Sequence, residues 1–241
     1  MHPPLPPSTT RLSRHGLPLL KSRPSVRSYV IREGRFTKGQ QAAFEHHWPH
    51  YGIEPGQGPL DLGALFGNLR PVVLDIGFGD GEALALLGCR YPHLNFLGVE
   101  VYRPGIGSLL RRIDESELGN VRVMNMDVVR VLREYLAPES LAAVLIWFPD
   151  PWPKKRHHKR RLIQAEFVQL VAGRLASRGE LSIATDWQPY AEVIQDVLGR
   201  SAAFRKAGVS SLIRNRPHTK FERRGIRLGH RVFAQVYRKT R

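Results

Sequence analysis

From residue 72 onward the chain repeats one pattern five times. A short, nearly unbroken apolar run is followed by a longer stretch whose apolar positions recur at helical spacing. The runs 72–76, 95–100, 121–125, 141–147 and 179–185 have the length of buried strands. The stretches 82–89, 105–115, 128–135, 161–175 and 187–198 read as helices. Such alternation predicts an α/β fold, a doubly wound and mostly parallel sheet with helices on both faces. The tail adds two strands, a weaker one around Phe204 and a firmer one at 231–237, where alternation suggests an antiparallel pairing. The expected sheet is therefore seven-stranded, with its last strand antiparallel. Ahead of the repeat, 38–48 fits one helix, 28–32 a short extended segment and 55–59 a loop. No internal repeat is visible.

A chain of 241 residues with 42% hydrophobic residues suits one sizeable domain with room for tails. Charge adds more, because it is segregated. Residues 1–35, 154–161 and 200–241 carry net +6, +6 and +12 against +16 for the whole chain, so the remaining body is net −8. Three basic segments around an acidic body are the footprint of a polyanion-binding protein. The single cysteine, Cys89, excludes an intramolecular disulfide and a cysteine-based zinc cluster and points to a cytoplasmic home. No apolar run reaches the roughly 18 residues that span a bilayer. The pairs His46-His47 and His157-His158 lack further metal ligands at suitable spacing, so no metal is expected. Residues 1–26, with five prolines among the first 18, read as a flexible basic arm rather than a secretory signal.

The candidate chemistry lies where the strands end. Asp75-Ile76-Gly77-Phe78-Gly79-Asp80-Gly81 joins the first strand to the first helix, and its glycines permit a tight turn close to a ligand. A dinucleotide fingerprint needs a small residue at the sixth position from Gly77, where this chain has Glu82. Glu100 closes the second strand, where a carboxylate would hold a ribose diol, and Asp127 closes the third, where it could meet an adenine amine. Each of these acids taken alone is more often a cap or turn residue. Three carboxylates at consecutive strand ends suit a ligand with hydroxyls, an amine and a positive charge, and they are poor neighbours for a pyrophosphate. The fourth strand runs into Phe148-Pro149-Asp150-Pro151-Trp152-Pro153, a proline-stiffened acidic and aromatic tip, and then into KKRHHKRR. Asp186 ends the fifth strand beside Asp150.

Taken together, these motifs resemble the bacterial tRNA (guanine-N7)-methyltransferase family of class I S-adenosylmethionine-dependent enzymes. The resemblance rests on LDIGFGDGE (74–82), GVEVYRPG (98–105), WFPDPWPKKRHHKRR (147–161), ATDWQPYA (184–191), TKFERRG (219–225) and RSYVIREGRFTKGQ (27–40). It covers nearly everything from Arg27 to the C-terminus and leaves residues 1–26 outside. The family commonly has a glutamate where this chain has Asp75.

The resemblance implies one Rossmann-like domain over 27–241 that binds tRNA and makes 7-methylguanosine at position 46 of the variable loop. It implies S-adenosylmethionine held by Asp75, Gly77, Gly79, Gly81, Glu100, Asp127 and Asp150, with Asp150 also catalytic. Lys154, Asp186, Thr219, Lys220, Phe221 and Glu222 correspond to substrate-contacting positions. Arg156, His157, His158, Lys159, Arg160 and Arg161 correspond to an RNA-interacting segment. Two other classes stay open at this point: an exocyclic-amine methyltransferase acting on another nucleic acid, and a non-catalytic RNA-binding protein. Monomer and homodimer stay open as well.

Overall fold

The strand β1 (Val72–Ile76) is buried along its whole length inside a seven-stranded sheet. The computed structural model describes residues 36–54, 56–210, 213 and 215–240. The predicted arm at 1–26 and extended segment at 28–32 lie outside them. After β1 come β2 (Asn95–Val99), β3 (Val121–Met124), β4 (Leu141–Trp147), β5 (Leu175–Thr185), β6 (Phe204–Ala207) and β7 (Phe233–Lys239), in the spatial order β3-β2-β1-β4-β5-β7-β6. The pairs from β3 across to β5 are parallel. Strand β7 inserts antiparallel between β5 and β6, so six strands share one direction and the last opposes them.

The helices are α1 (Lys38–Tyr51), α2 (Leu62–Phe66), α3 (Glu82–Arg90), α4 (Arg103–Glu115), α5 (Val128–Arg130), α6 (Ala165–Arg174), α7 (Gln188–Gly199) and α8 (Lys220–Arg227). Strand side chains alternate between two cores, as the pleat requires. Leu74, Ile76, Val144, Ile146, Leu181 and Ile183 face α2, α5, α6 and α7. Val73, Ala143, Leu145, Trp147 and Ala184 face α3 and α4, and Phe44 of α1 and Ile213 belong to the same cluster. Helix α1 reaches α4 closely because Gly107 has no side chain; a Cβ there would stand 2.3 Å from the Gln40 carbonyl oxygen.

Several elements differ from the sequence pattern for visible reasons. The stretch 128–135 is one turn of α5 followed by a π turn, Val131–Tyr135. Strand β5 starts four residues earlier than expected because Leu175 already pairs with Leu141, and an irregularity then carries the pairing to Glu180 and Ala143. Helix α6 is shorter than 161–175 because its N-cap, Gln164, is extended and Leu175 already belongs to β5. The helices α2 and α8 were not legible: the first has five residues, and the second has a mostly charged sequence with little apolar periodicity.

A candidate active site at the switch point of the sheet

The chain winds from β1 through β2 to β3 in one direction, then returns to place β4 on the other side of β1. This reversal opens a crevice at the C-terminal ends of β1 and β4, where doubly wound sheets bind ligands. The glycine loop follows β1 and the Asp150 loop follows β4, so topology alone brings the two leading sequence motifs together.

In the glycine loop Gly77, Gly79 and Gly81 have φ of 72°, 64° and 74°, a region costly for any residue with a Cβ. Gly81 also abuts α4, since a Cβ there would lie 2.4 Å from Leu109 Cβ. The loop is held from β2: Gly79 N donates to Glu100 Oε2 at 3.0 Å. Val101 N and Tyr102 N donate to Glu100 Oε1 at 2.7 and 3.0 Å. Three of roughly four acceptor positions on this carboxylate are therefore filled by backbone, and one remains for a ligand. Burial still raises the Glu100 pKa against these three donors, and the charge of Asp150 adds to the rise.

Asp75 is 3% exposed, and among the described residues nothing donates a hydrogen bond to it. Burial, followed by the Glu100 carboxylate, pushes its pKa up to about 7. A buried acid without donors is the orphan that a cationic or donor-rich ligand would complete. Asp127 lies beyond the end of β3 and caps α5, accepting from Val129 N at 2.7 Å. Its cap role is thus real.

The Asp150 loop is wound tightly. Phe148 and Trp152 have φ of 55° and 45°, and Phe148 N donates to the Ala184 carbonyl of β5 at 2.7 Å. Asp150 itself is exposed, with its charge felt at both Glu100 and Tyr190. Beneath it, Arg161 Nε donates to the Pro151 carbonyl at 2.9 Å, and the guanidinium stacks 4.8 Å over the Tyr190 ring. The Tyr190 hydroxyl accepts from Ile163 N at 3.2 Å. Burial takes the Tyr190 pKa to about 12, so this brace stays neutral at ordinary pH.

The basic tract divides by exposure. Lys154, Arg156 and Lys159 point to solvent, while His157, His158 and Arg160 are half-buried. His157 stands edge-on to Trp152 at 5.7 Å and Arg160 covers the Trp152 ring at 5.1 Å, so one aromatic face is already occupied. Arg161 stands apart from its neighbours in the tract: at 5% exposure it braces the Asp150 loop from within.

The tail returns to the same crevice. Thr219 caps α8, accepting from Glu222 N at 3.1 Å. Lys220 lies 4.0 Å from Asp80 and Arg223 pairs with Glu82, which sets α8 against the glycine loop. Phe221 is exposed close to Gly79. Glu222 faces inward. It is 2% exposed and receives both guanidinium arms of Arg216 at 2.5 and 2.6 Å, which, against the opposing effect of burial, lower its pKa. Asp186 follows β5 and lies 3.1 Å from His230 Nδ1. A cleft of about 330 Å³ opens beside it, lined by Trp187, Gln188, Pro189, His230, Arg231 and Phe233 as well. Among the described residues, no cluster of His, Cys, Asp or Glu is arranged to hold a metal ion, and no helix is long and apolar enough to cross a membrane.

The family model Methyltransf_4, described as "Putative methyltransferase", matches residues 69–235, more than half of the chain. A tRNA (guanine-N(7)-)-methyltransferase of Alkalilimnicola ehrlichii is 50% identical over 219 residues, 89% of this chain and 92% of its own. The protein of the same name from Thiobacillus denitrificans is 50% identical over 220 residues, 90% and 97% of the two chains. The chain belongs to the tRNA (guanine-N7)-methyltransferase family. Among solved structures, the 16S rRNA methyltransferase KamB aligns with a TM-score of 0.53 at 15% identity, over 78% of this chain and 97% of that one. An antibiotic-related methyltransferase aligns with a TM-score of 0.52 at 17% identity, over 74% and 91%. At such identities they speak for the Rossmann-like fold alone.

Within this family member, sequence reasoning missed Arg216, Tyr190 and His230. Tyr190 and His230 lie in or beside quoted motifs, but an aromatic on a helix reads as core and a histidine after a glycine as a turn. Arg216 sits in a basic tail, where nothing local distinguishes a buried pair from a solvated charge.

Proposed function

We propose that this protein transfers a methyl group from S-adenosylmethionine to N7 of a guanosine in tRNA, the guanosine at position 46 of the variable loop. The observation that carries the reading is the pairing of a donor-starved Asp75 and a loop-holding Glu100 on one side of the crevice with the Asp150 loop and its basic ridge on the other. The names of the half-identical relatives supply the base and the RNA. When bound, S-adenosylmethionine supplies an electrophilic methyl on a sulfonium. Asp75 would meet its cationic portion, Glu100 a ribose hydroxyl through its remaining acceptor position, and Asp127 the adenine amine.

Guanine N7 carries an in-plane lone pair and no proton, so the new N–CH₃ bond forms as the S–CH₃ bond breaks and no general base is required. Positive charge passes from sulfur to the guanine ring. Asp150, exposed on its loop, would stabilise that charge as it develops. The remaining gain comes from orientation. The exposed Lys154, Arg156 and Lys159 would contact phosphates, and the cleft beside Asp186 would receive the base on the side away from Glu100. Nucleoside analysis of tRNA methylated by the purified protein tests this reading. It is expected to yield 7-methylguanosine, and a product methylated on an exocyclic amine would refute it.

A further inference from the structure

Glu222 is at a position where the family resemblance suggests contact with substrate, yet its carboxylate is turned inward and held in a fork by Arg216. The side chains of Arg216 and Glu222 are 18% and 3% exposed, and His218 Nδ1 lies 3.3 Å from the same carboxylate. At 3% exposure the carboxylate offers almost no surface to an RNA base. The other side of the Arg216 guanidinium faces two rings of the β4 exit, Trp147 at 5.5 Å and Phe148 at 5.6 Å. Phe148 is also the residue whose left-handed backbone starts the Asp150 loop. Such a conformation at a bulky residue persists only where its surroundings over-determine it. The Ala184 carbonyl fixes Phe148 from the β5 side and Arg216 covers it from the tail.

Helix α8 is meanwhile tied to everything else in the crevice. Lys220 and Arg223 reach Asp80 and Glu82 at the glycine loop. Gly225 packs so closely on the β5 end that a Cβ there would stand 2.9 Å from Asp186 Oδ2. One eight-residue helix thus touches the glycine loop after β1 and the end of β5, and among the described residues the Glu222–Arg216 fork links it to the end of β4.

We infer that Arg216 is a positioning residue that couples α8 to the Asp150 loop, setting the glycine loop, Asp186 and Asp150 as one unit through Glu222, Trp147 and Phe148. Glu222 then acts through Arg216 and not by touching RNA. The catalytic part of this inference rests on the methyl-transfer reading above; the mechanical part does not.

The test uses the full chain and the variants Arg216→Met, Glu222→Met and the double. Removing one partner leaves a buried charge and destabilises the protein, whereas replacing both with apolar side chains of similar volume is often neutral, so the double variant is the informative one. It is expected to melt close to wild type. Its amide exchange at Phe148 and across 150–161 is expected to rise. Its turnover in methyl transfer to tRNA is expected to fall by about 10²-fold, the order of loss that a small misplacement causes, with KM and S-adenosylmethionine affinity little changed. Arg216→Lys keeps the charge, loses the fork and gives the same split if the double variant folds poorly. Normal turnover with unchanged exchange would overturn the inference, as would a raised KM at unchanged turnover, which would make Glu222 a direct contact. An inactive wild type would remove the functional reading, while the exchange data would still decide whether α8 and the Asp150 loop are coupled.

Discussion

Asp75 and Glu100 end neighbouring strands as two desolvated carboxylates, one without any donor among the described residues and the other with three backbone donors. The mutual repulsion, added to burial, holds the Asp75 pKa at about 7 against 3.8 for a free aspartate. In the ligand-free protein Asp75 therefore keeps a proton, between about pH 4 and 7, that the unfolded chain has released. Its folded pKa is raised, so stability falls as pH rises through that window. A cationic cofactor favours the ionised form and offsets this loss. The thermal shift produced by saturating S-adenosylmethionine is therefore expected to grow from pH 5.5 to pH 8, and to lose most of that growth in Asp75→Asn. Differential scanning fluorimetry across this range checks it; a wild-type shift that shrinks with pH would contradict the assignment.

Asp150 and Glu100 are expected to separate cleanly in kinetics. Asp150→Asn removes a charge that the chemistry needs and only one contributor to the cofactor's surroundings. Its turnover is expected to fall by about 10²–10³-fold, typical of a lost electrostatic stabiliser, while cofactor affinity changes little. Glu100→Ala frees the Gly79, Val101 and Tyr102 amides and is expected to weaken cofactor binding first. Isothermal titration with S-adenosylmethionine alongside single-turnover methyl transfer distinguishes the two. Equal loss of affinity in both variants would contradict the division of labour.

Within the basic tract, exposure decides the outcome of each substitution. Arg156→Ala is expected to lower the salt dependence of tRNA binding by about 0.7–0.9 log units per log unit of salt, the contribution of one phosphate contact, without affecting folding. Arg161→Ala removes the buried brace on Pro151 and Tyr190 and is expected to cost about 1–3 kcal/mol of stability. Filter binding at several salt concentrations, paired with thermal melts, reads both. An Arg161 variant that melts like wild type but binds tRNA with a shallower salt slope would reverse the assignment.

The sheet was legible because β1, β2 and β4 are buried almost throughout and read as continuous apolar runs, while β3 and the second half of β5 are mostly buried. The parallel topology then dictated that the loops after β1 and β4 meet, which is why Asp75, Glu100 and Asp150 could be named together before any coordinates. What escaped was set by partners distant in sequence. Arg161 looks like its neighbours in KKRHHKRR, and its contacts with the Pro151 carbonyl and with Tyr190, on a later helix, turn it inward. Glu222 looks like an acidic contact in a basic tail until Arg216 is folded onto it. The start of β5 was displaced because a non-local pairing, Leu175 with Leu141, extended the strand past the pattern's own boundary. The pattern reports burial well for contiguous apolar runs, and poorly for charged side chains whose burial depends on one long-range partner.

The crevice between β1 and β4 is proposed to methylate one guanine of a folded tRNA. Transfer of labelled methyl from S-adenosylmethionine to two unmodified transcripts, identical except for guanosine or adenosine at position 46 of the variable loop, tests it most directly. Label is expected to appear in the guanosine transcript alone and to be recovered there as 7-methylguanosine. Equal labelling of both transcripts, or none in either with a protein that binds S-adenosylmethionine, would contradict the account.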